Sequence, residues 1–412
     1  MERRRRWRWA VGIVACAWLA WAGTLRVGFV WDDHYTIQAN PALRAWSWAN
    51  LKRDFTTGLF NDPRETDFYR PLVAVANRID YTLYGQSAWG YHLTNLLIHC
   101  GSSLLVALLL TQLGFSSMVA GLTACLFAVH PINAQDMILI TGRCGLLGMF
   151  FTLLALVGFQ SSKGIWLGVV AYALGLSAKE SVLIVPALYA LTLWLRRRPW
   201  DKSVWRAFAA MALVTPGYLL LHRQVGIGWP ASLTAIHGLR FMLRVFPGVL
   251  CAYAGLAAAP ILLYSDRVVP QSAVHGSWLF TLFVIVGLGL YRWRTRWPLF
   301  AYGWVVLALL PPVPVMLSQR FMLDHWAYPA LPGFLLPVAM ALAAGWSSSH
   351  AAWRRAASLC AVLLVLAGAG LAEWNVAQRG TDLTFFRWSA RYSPSETIHN
   401  NLQALETHRP ER

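Results

Sequence analysis

The chain has 412 residues, of which 57% are hydrophobic and only 13% are charged. A soluble globular protein contains roughly 25% charged residues, so this composition excludes an ordinary soluble domain and predicts an all-α polytopic membrane protein. The formal net charge of +17 comes from arginines in short loops between apolar runs, where they set orientation in the membrane, and we therefore expect no nucleic-acid partner.

The first apolar run follows a basic cluster, Arg3–Arg6, at the N-terminus. We interpret this run as a retained membrane span rather than a cleaved signal peptide, because it is long for the apolar region of a signal peptide. Ten further runs have the length and composition of spans. The eleven predicted spans cover residues 8–25, 92–113, 117–129, 137–159, 164–177, 181–195, 205–221, 276–291, 297–316, 327–345 and 355–372.

Basic loops predict the topology, because Lys and Arg accumulate on the cytoplasmic side of membrane proteins. Clusters at 3–6, 196–206, 292–296 and 354–355 are therefore placed in the cytoplasm. An odd number of crossings must then lie between residues 222 and 292, and span 276–291 supplies one. The apolar stretch 241–263 is consequently expected to be re-entrant or interfacial. The alternative is twelve spans with an arginine-rich outside loop.

This topology places the C-terminus and a long first loop, residues 26–91, outside the membrane. The loop carries seven of the eighteen acidic residues of the chain. We predict one membrane-embedded domain over residues 1–372 and a short external tail over residues 373–412.

The pair Asp32-Asp33 directly follows the first span and lies between aromatic residues, in the string FVWDDHY. Charged side chains within reach of the membrane are costly and tend to mark polar cavities or pathways. Each further polar residue near a span end also has an ordinary structural explanation, such as a loop ion pair or an interfacial anchor, so only their convergence on one side indicates a site. These residues are Arg70, His92, His130, Asp136, Arg143, Lys179, Glu180, Arg320, Asp324, His325 and Tyr328.

Sugar transfer from a lipid-linked donor fits this arrangement, because such a donor has a polyprenyl tail in the bilayer and a phosphate at its surface. One carboxylate of the pair would be the general base on an acceptor hydroxyl, and arginine or lysine would hold the phosphate leaving group. A non-catalytic lipid-linked-sugar binder or flippase is an alternative, as is a transporter. A divalent metal, Mg²⁺ or Mn²⁺, held by Asp32 and Asp33 also stays open.

Several short strings occur in a defined order over residues 25–345: FVWDDHY (29–35), NP (40–41), YRPL (69–72), GYHLTNLLIH (90–99), LFAVHPI (126–132), GR (142–143), AKE (178–180) and DHWAY (324–328). This ordered set resembles the GT-C superfamily of polytopic glycosyltransferases. It is most similar to the transmembrane-and-tetratricopeptide-repeat O-mannosyltransferase family and its bacterial relatives. Residues 394–402 resemble the lead-in to a first repeat, and no repeat array follows them in this sequence.

The resemblance implies a GT-C-type helical core with an external active site. It also implies a polyprenyl- or dolichyl-phosphate monosaccharide donor and a protein, glycan or lipid acceptor. An acid of the first-loop pair is the expected catalytic base, either Asp32 or Asp33 with a preference for Asp33, and the donor phosphate is expected near Arg143, Lys179 and Arg320. We expect a bacterial inner-membrane protein whose N-terminus is cytoplasmic and whose active site and C-terminus are periplasmic.

Three positions depart from the family pattern. Asn133 and Gln135 stand in the second outside loop where a His and a Glu are usual, and Gly145 stands where an acid is usual two residues after Gly-Arg. Asp136 is adjacent to Gln135, but one step along a helix turns a side chain by about 100°. We therefore expect either a different acceptor or a partly degenerate enzyme.

Overall fold

The computed structural model of the chain describes residues 2–60, 68–225, 243–269, 281–282, 285–289, 295–319 and 321–407. Over these residues the protein is almost entirely helical, which confirms the predicted fold class of an all-α polytopic membrane protein. Its described strands form one two-stranded antiparallel ribbon, in which β1 (Arg267–Val268) pairs with β2 (Phe321–Met322).

The helices that position the candidate site follow one another through the whole described chain. They are α1 (Glu2–Trp21), α2 (Trp48–Thr56), α3 (Pro71–Tyr84), α4 (Ala88–Gln112), α5 (Ser117–Val129), α6 (Ala134–Ile138), α7 (Arg143–Phe159), α8 (Ile165–Ala178), α9 (Val185–Arg196), α10 (Lys202–Gln224), α11 (Phe246–Ala258), α12 (Trp297–Ala308), α13 (Val313–Gln319), α14 (Leu331–Trp346), α15 (Ala351–Arg379), α16 (Asp382–Ala390) and α17 (Glu396–Thr407).

Six helical segments in the described part of the chain are long and apolar enough to cross a membrane. A bent pair, Ser117–Val129 with Pro131–Ile138, turns by 45° and makes up to seven. The six are Trp7–Arg26, Ala88–Gln112, Ile140–Phe159, Lys202–Gln224, Asp324–Trp346 and Ala351–Arg379. Shorter apolar helices cover several other predicted spans, and most of span 276–291 lies outside the described residues, so the number of eleven spans stays a prediction.

The stretch 241–263 contains α11, a helix of 13 residues that ends at Ala258. At 1.5 Å per residue such a helix is about 20 Å long, which is shorter than the roughly 30 Å hydrocarbon core of a bilayer. Because α5, α9 and α12, which lie in predicted spans, are no longer than this helix, the re-entrant or interfacial assignment of 241–263 stays a prediction.

The core of the bundle is built around α7, the most buried of the six candidate spans. It packs against α4 on one side and α8 on the other. Small residues allow the contact with α8, because a Cβ atom on Gly158 would lie 2.6 Å from the backbone nitrogen of Gly168. Close backbone approach at small residues is a common way for helices to associate in membranes. In contrast, α10 and α15 leave most of their apolar side chains exposed, as a lipid-facing helix does.

Arg143 begins α7 and is fully buried, and its guanidinium joins three helices. It donates to the Asp80 carboxylate at 2.5 Å, to Asn95 Oδ1 at 2.8 Å and to Asn77 Oδ1 at 3.0 Å. A further bond reaches the Tyr91 carbonyl at 3.1 Å. The first loop, through α3, is thereby attached to the membrane core at α4 and α7.

The last long helix, α15, runs through residue 372 and ends at Arg379. The helix therefore continues from the predicted membrane domain into the predicted tail. Beyond it, α16 begins with a capping box formed by Thr381 and Thr384, and α16 packs against both α15 and α17. The division into residues 1–372 and 373–412 stays a prediction.

The first testable prediction concerns the Arg143 junction. Arg143→Met leaves the buried Asp80 carboxylate without its cation, and loss of one partner from a buried ion pair costs about 3–5 kcal/mol. We expect a clearly lower midpoint of thermal unfolding in detergent, measured by intrinsic fluorescence. Arg206→Met, on the exposed face of α10, is the matched control and should leave the midpoint unchanged. Adding Asp80→Asn to Arg143→Met should restore part of the loss, and equal midpoints for all variants would contradict this interpretation.

Candidate active site

A cleft of about 250 Å³ lies at the end of the bundle where the first loop meets the connections between the later helices. The described walls come from the turn after the first span, residues 59–60 with 68–70, the α6–α7 region, the turn after α8, the turn at 265–266, and residues 308–315 and 323–329. The described lining residues that carry polar side chains are Asp32, Arg70, Gln135, Asp136, Thr141, Lys179, Glu180, Ser181, Ser265, Asp266 and His325.

The two adjacent acids of the first loop have different environments. Asp32 is half-buried and lines the cleft. Asp33 is fully buried and accepts hydrogen bonds from the backbone N–H groups of Val30 at 3.1 Å, Ile140 at 3.1 Å and Thr141 at 2.9 Å. Burial raises the pKa of the Asp33 carboxyl to about 6, against the lowering effect of these N–H groups, so at neutral pH it is still mostly ionised.

The structure therefore does not support the preference for Asp33 as the catalytic base. Its carboxylate faces backbone donors and not the cleft, because consecutive residues in a helical turn point in directions about 100° apart. Asp32 is the acid of the pair that faces the cleft. Asp33 instead joins the first loop to the short turn before α7.

One wall of the cleft is cationic. Arg70 donates to Glu180 at 3.1 Å and to the Cys144 sulfur at 3.2 Å, and Lys179 is buried beside Glu180 at the end of α8. Burial acts to raise the pKa of the Glu180 carboxyl, but Arg70 and Lys179 outweigh that effect and hold the pKa below its usual range. Asp136 lies near the same two cations: burial raises the pKa of its carboxyl to about 7, against the lowering effect of Lys179 and Arg70.

Four buried polar atoms on the cleft-lining residues have no hydrogen-bond partner within the described chain. They are Arg70 Nε, Gln135 Oε1, Asp136 Oδ2 and His325 Nδ1. A buried polar atom without a partner costs free energy and is rare in folded proteins. All four residues line the same cleft, and unpartnered donors and acceptors in its wall suit the binding of a polar ligand.

Position 145, where the family usually has an acid, is a glycine here, and the carboxylate of Asp136 lies beside it. A Cβ atom on Gly145 would lie 2.6 Å from Asp136 Oδ2, so the Asp136 carboxylate fills the space that a side chain at position 145 would take. Asp136 reaches this place from α6, one helix earlier in the chain. A glycine at 145 is thus the residue that leaves room for it.

Five predicted site residues lie in the supporting structure and not in the cleft wall. Arg143 is saturated by the partners given above. His92 and His130 are buried with ring nitrogens 3.3 Å and 3.0 Å from the carbonyls of Gly28 and Ala257. These contacts attach the first loop and α11 to the bundle.

The other two of these five are Asp324 and Tyr328. Asp324 accepts from Arg267 Nε at 2.9 Å and from the Tyr264 N–H at 2.8 Å. The Tyr328 hydroxyl lies 2.9 Å from His99 Nδ1. Arg320, the remaining predicted phosphate contact, lies outside the described residues.

Sequence reasoning missed Ser265 and Asp266, which line the cleft from the turn after α11. Asp32 was noted because it directly follows an apolar span. The same pattern occurs here, since the polar run Tyr264–Arg267 directly follows an apolar stretch. Trp31 and Cys144 also line the cleft. The pattern does not distinguish these two from ordinary core residues.

The acid pair does not fit a divalent metal site. The Asp33 oxygens accept three backbone N–H groups. Asp33 does not line the cleft, whereas Asp32 does. Within the described ranges, no group of three His, Cys, Asp or Glu side chains is arranged to hold a metal ion. Asp32 and Asp33 therefore do not act together as a pair of metal ligands in this arrangement.

A second, apolar groove of about 520 Å³ borders the same helix as the cleft. Trp297, Ala301 and Val305 of α12 line the groove, and Ala308 at the end of α12 lines the cleft. Other described groove residues include Leu250, Leu282, Val286 and Phe334. A polar cleft and an apolar groove thus lie along one helix.

Known proteins similar to this chain are transferases. The chain is 34% identical to protein O-mannosyl-transferase Tmtc1 of Drosophila melanogaster over 151 residues, which are 36% of this chain and 18% of that protein. It is 32% identical to mouse TMTC1 over 148 residues, 35% of this chain and 16% of that protein. It is 32% identical to human TMTC3 over 157 residues, 37% of this chain and 17% of that protein. No family model matches the chain.

The chain therefore covers less than a fifth of the length of these relatives. Within that share, the similarity confirms the resemblance drawn from the short strings, that of a membrane glycosyltransferase similar to the TMTC-type protein O-mannosyl-transferases.

Proposed function

We propose that this protein transfers a sugar from a polyprenyl-phosphate-linked monosaccharide to an acceptor hydroxyl at the external face of the membrane. The names of its relatives support glycosyl transfer in general and favour mannose and a protein hydroxyl, with a glycan or lipid hydroxyl as the other acceptor classes. In a bacterial inner membrane this face is periplasmic, and the basic loops of the sequence support that orientation.

The observation that carries the proposal is the set of buried, unpartnered polar atoms around one cleft. Arg70 Nε is a donor, Gln135 Oε1 and Asp136 Oδ2 are acceptors, and His325 Nδ1 is a further polar atom at the same space. A phosphosugar has both anionic oxygens and hydroxyl groups, so it matches a site that offers donors on one side and acceptors on the other. An apolar ligand would leave all four atoms unsatisfied.

The cationic wall suits the phosphate. Arg70 and Lys179 face the cleft, and charge-assisted hydrogen bonds from such groups to phosphate are strong. As the bond between the anomeric carbon and the phosphate oxygen breaks, negative charge grows on the leaving phosphate. Cations already held in position stabilise that charge without reorganising.

The acidic wall suits the acceptor. Asp32 accepts the proton of the acceptor hydroxyl while the hydroxyl oxygen bonds to the anomeric carbon, and polyprenyl phosphate departs with the electron pair of the broken bond. One displacement of this kind inverts the anomeric centre, by analogy with the inverting half of the glycosidase scheme. Asp33 supports the reaction indirectly, because its three backbone hydrogen bonds keep the neighbouring residue in place.

The apolar groove along α12 suits the polyprenyl tail. The groove is lined by carbon-rich side chains such as Leu250 and Phe334, and its volume of about 520 Å³ is twice that of the cleft. Because the tail comes from the bilayer and not from water, the groove would hold it by van der Waals packing. A donor with its tail in the groove and its phosphate between Arg70 and Lys179 would present the sugar to Asp32.

The prediction that tests the base is Asp32→Asn. The amide keeps the size of the side chain but accepts no proton, so we expect transfer to fall about 10²- to 10⁴-fold, the usual contribution of a general base. Donor binding should stay within a few-fold of wild type. The measurement is turnover of a polyprenyl-phosphate monosaccharide in nanodiscs, with donor binding measured separately by isothermal calorimetry.

Asp33→Asn is the matched comparison for that experiment. It should lower the unfolding midpoint, because an amide nitrogen replaces an oxygen that accepts a backbone N–H. Wild-type transfer by Asp32→Asn would refute the assignment of the base. Donor binding without any transfer by the wild-type protein would instead favour the binder or flippase alternative.

Another prediction concerns the phosphate. Lys179→Gln removes one charge-assisted contact worth about 1.5–3 kcal/mol, so we expect the KM for donor to rise roughly 10- to 100-fold. Inhibition by a polyprenyl phosphate that lacks a sugar should weaken by a similar factor. Lys163→Gln, in the exposed turn before α8, is the charge-matched control. An equal KM for both variants would show that Lys179 does not contact the phosphate.

A further prediction concerns the Asp136 carboxylate, which occupies the space beside Gly145. Gly145→Ala places a methyl group 2.6 Å from Asp136 Oδ2 and must displace the carboxylate, at a cost of about 1–3 kcal/mol in stability. We expect a lower unfolding midpoint and weaker donor binding. In an Asp136→Ala background the same change should cost little stability, because the clash is gone.

Gly370→Ala is the control for that comparison, because a Cβ atom there meets no atom within 4 Å. The interpretation fails if Gly145→Ala lowers the midpoint equally in the presence and absence of the Asp136 carboxylate.

A further inference from the structure

Two turns that line the cleft have strained backbones. Among the described residues, the non-glycine residues with positive φ are Trp31 at 53°, Arg197 at 51° and Asp266 at 57°. Trp31 and Asp266 both line the cleft, whereas Arg197 ends α9. A side chain in this left-handed region costs about 1–2 kcal/mol, and such a conformation persists only where surrounding contacts hold it.

The contacts that hold Trp31 come from the segment after α15. The N–H group of Trp31 donates to Asp382 Oδ1 at 2.7 Å. The other oxygen of the same carboxylate lies 2.8 Å from His34 Nε2, on the far side of the turn. The indole ring packs against two phenylalanines of α16, with ring centroids 5.5 Å from Phe385 and 5.6 Å from Phe386.

The contacts that hold Asp266 come from the same segment. The hydroxyl groups of Ser393 and Ser395 donate to the Asp266 carbonyl and to Asp266 Oδ2, each at 2.8 Å. Just before this turn, the indole N–H of Trp388 donates to the Leu263 carbonyl at 2.8 Å. Both serines and Trp388 are buried, so these bonds are protected from water.

We infer that residues 382–395 form a tail clamp that positions the reacting side of the cleft. All residues of the clamp are described, and none of them lines the cleft, so they act through Trp31 and Asp266. The inference deepens the proposed function and rests on it, since it concerns the placement of Asp32.

Asp32 has an anchored neighbour on each side. Trp31 is attached to Asp382 of the clamp, and Asp33 is attached to the backbone of Ile140 and Thr141. With both flanking residues held, contacts from distant parts of the chain position the backbone from which the Asp32 side chain projects. Asp382 is consequently a positioning residue for sugar transfer, and Ser395 has the same role for the turn that carries Asp266.

The test compares three variants of the full chain in nanodiscs. Asp382→Ala removes the acceptor of the Trp31 N–H group, and we expect kcat to fall about 10- to 100-fold, as expected when a reacting group is misplaced by about 1 Å. The KM for donor should change less than about twofold, because the cationic wall is untouched. Asp382→Asn keeps a side-chain oxygen for the Trp31 N–H group and should restore most of the activity.

Arg387→Ala is the matched control on the same helix. Its side chain pairs with Glu406 at 3.0 Å and is 46% exposed, and Arg387 does not line the cleft, so kcat should stay at the wild-type value. Hydrogen exchange of the peptide that contains Trp31 gives a readout independent of activity. Exchange there should accelerate in Asp382→Ala and not in Arg387→Ala.

The outcomes separate this inference from the proposed function. If Asp32→Asn loses transfer but Asp382→Ala keeps wild-type kcat and wild-type exchange, the clamp is wrong and the base assignment stands. If Asp382→Ala lowers kcat, raises the donor KM and also lowers the unfolding midpoint, the residue is only structural and the inference is overturned. If Asp32→Asn keeps full transfer, the proposed base itself is wrong.

Discussion

The buried carboxylate of Asp33 is the contact on which the geometry of the cleft depends. Its oxygens accept N–H groups from its own turn and from the turn at Ile140 and Thr141 that precedes α7. These two parts of the chain are more than one hundred residues apart, and they form neighbouring walls of the cleft. Removing a buried acceptor from several backbone donors is costly, so the contact fixes the first loop on the bundle and leaves the adjacent Asp32 facing the open space.

Buried ion pairs extend the same principle around the cleft end of the molecule. Arg143 with Asp80, Arg78 with Asp54, and Arg267 with Asp324 each have the guanidinium and the carboxylate largely excluded from solvent. Every one of these arginines also donates to a backbone carbonyl or a side-chain amide. Buried pairs of this kind hold a specific arrangement rather than contribute much net stability.

The cleft differs from this framework in the completeness of its hydrogen bonding. Arg70 uses part of its guanidinium on Glu180 and leaves Nε without a partner in the described chain, and Asp136 does the same with one carboxylate oxygen. This contrast separates Arg70 from Arg143, although supporting residues such as His92 also carry an unpartnered buried atom. It places Arg143 in the framework and Arg70 in the site, although both are arginines near the same end of the bundle.

Periodicity and loop charge were sufficient for the fold class and for the position of most helices, because the hydrophobic lengths that a membrane requires are visible in the sequence. They also singled out Asp32, Asp136, Lys179 and His325, which line one cleft, since charge at a span end is rare. Which acid of the pair faces the cleft was not predictable. That choice depends on the hydrogen bonds of Asp33 with residues far away in the chain.

The relation of Asp136 to Gly145 shows a second limit of reading the sequence residue by residue. An absent acid at one position and an additional acid at another are separate departures in the sequence, but in space the carboxylate of one occupies the room left by the other. The tail is a second case in which residues far apart in the sequence are neighbours in space. A polar stretch after the last span reads as a solvated end, yet Asp382 and Ser395 hold the two strained turns of the cleft. Because strained turns need contacts from outside themselves, the segment after α15 belongs to the structure of the site, and any movement of α16 would be transmitted to Asp32 through Trp31.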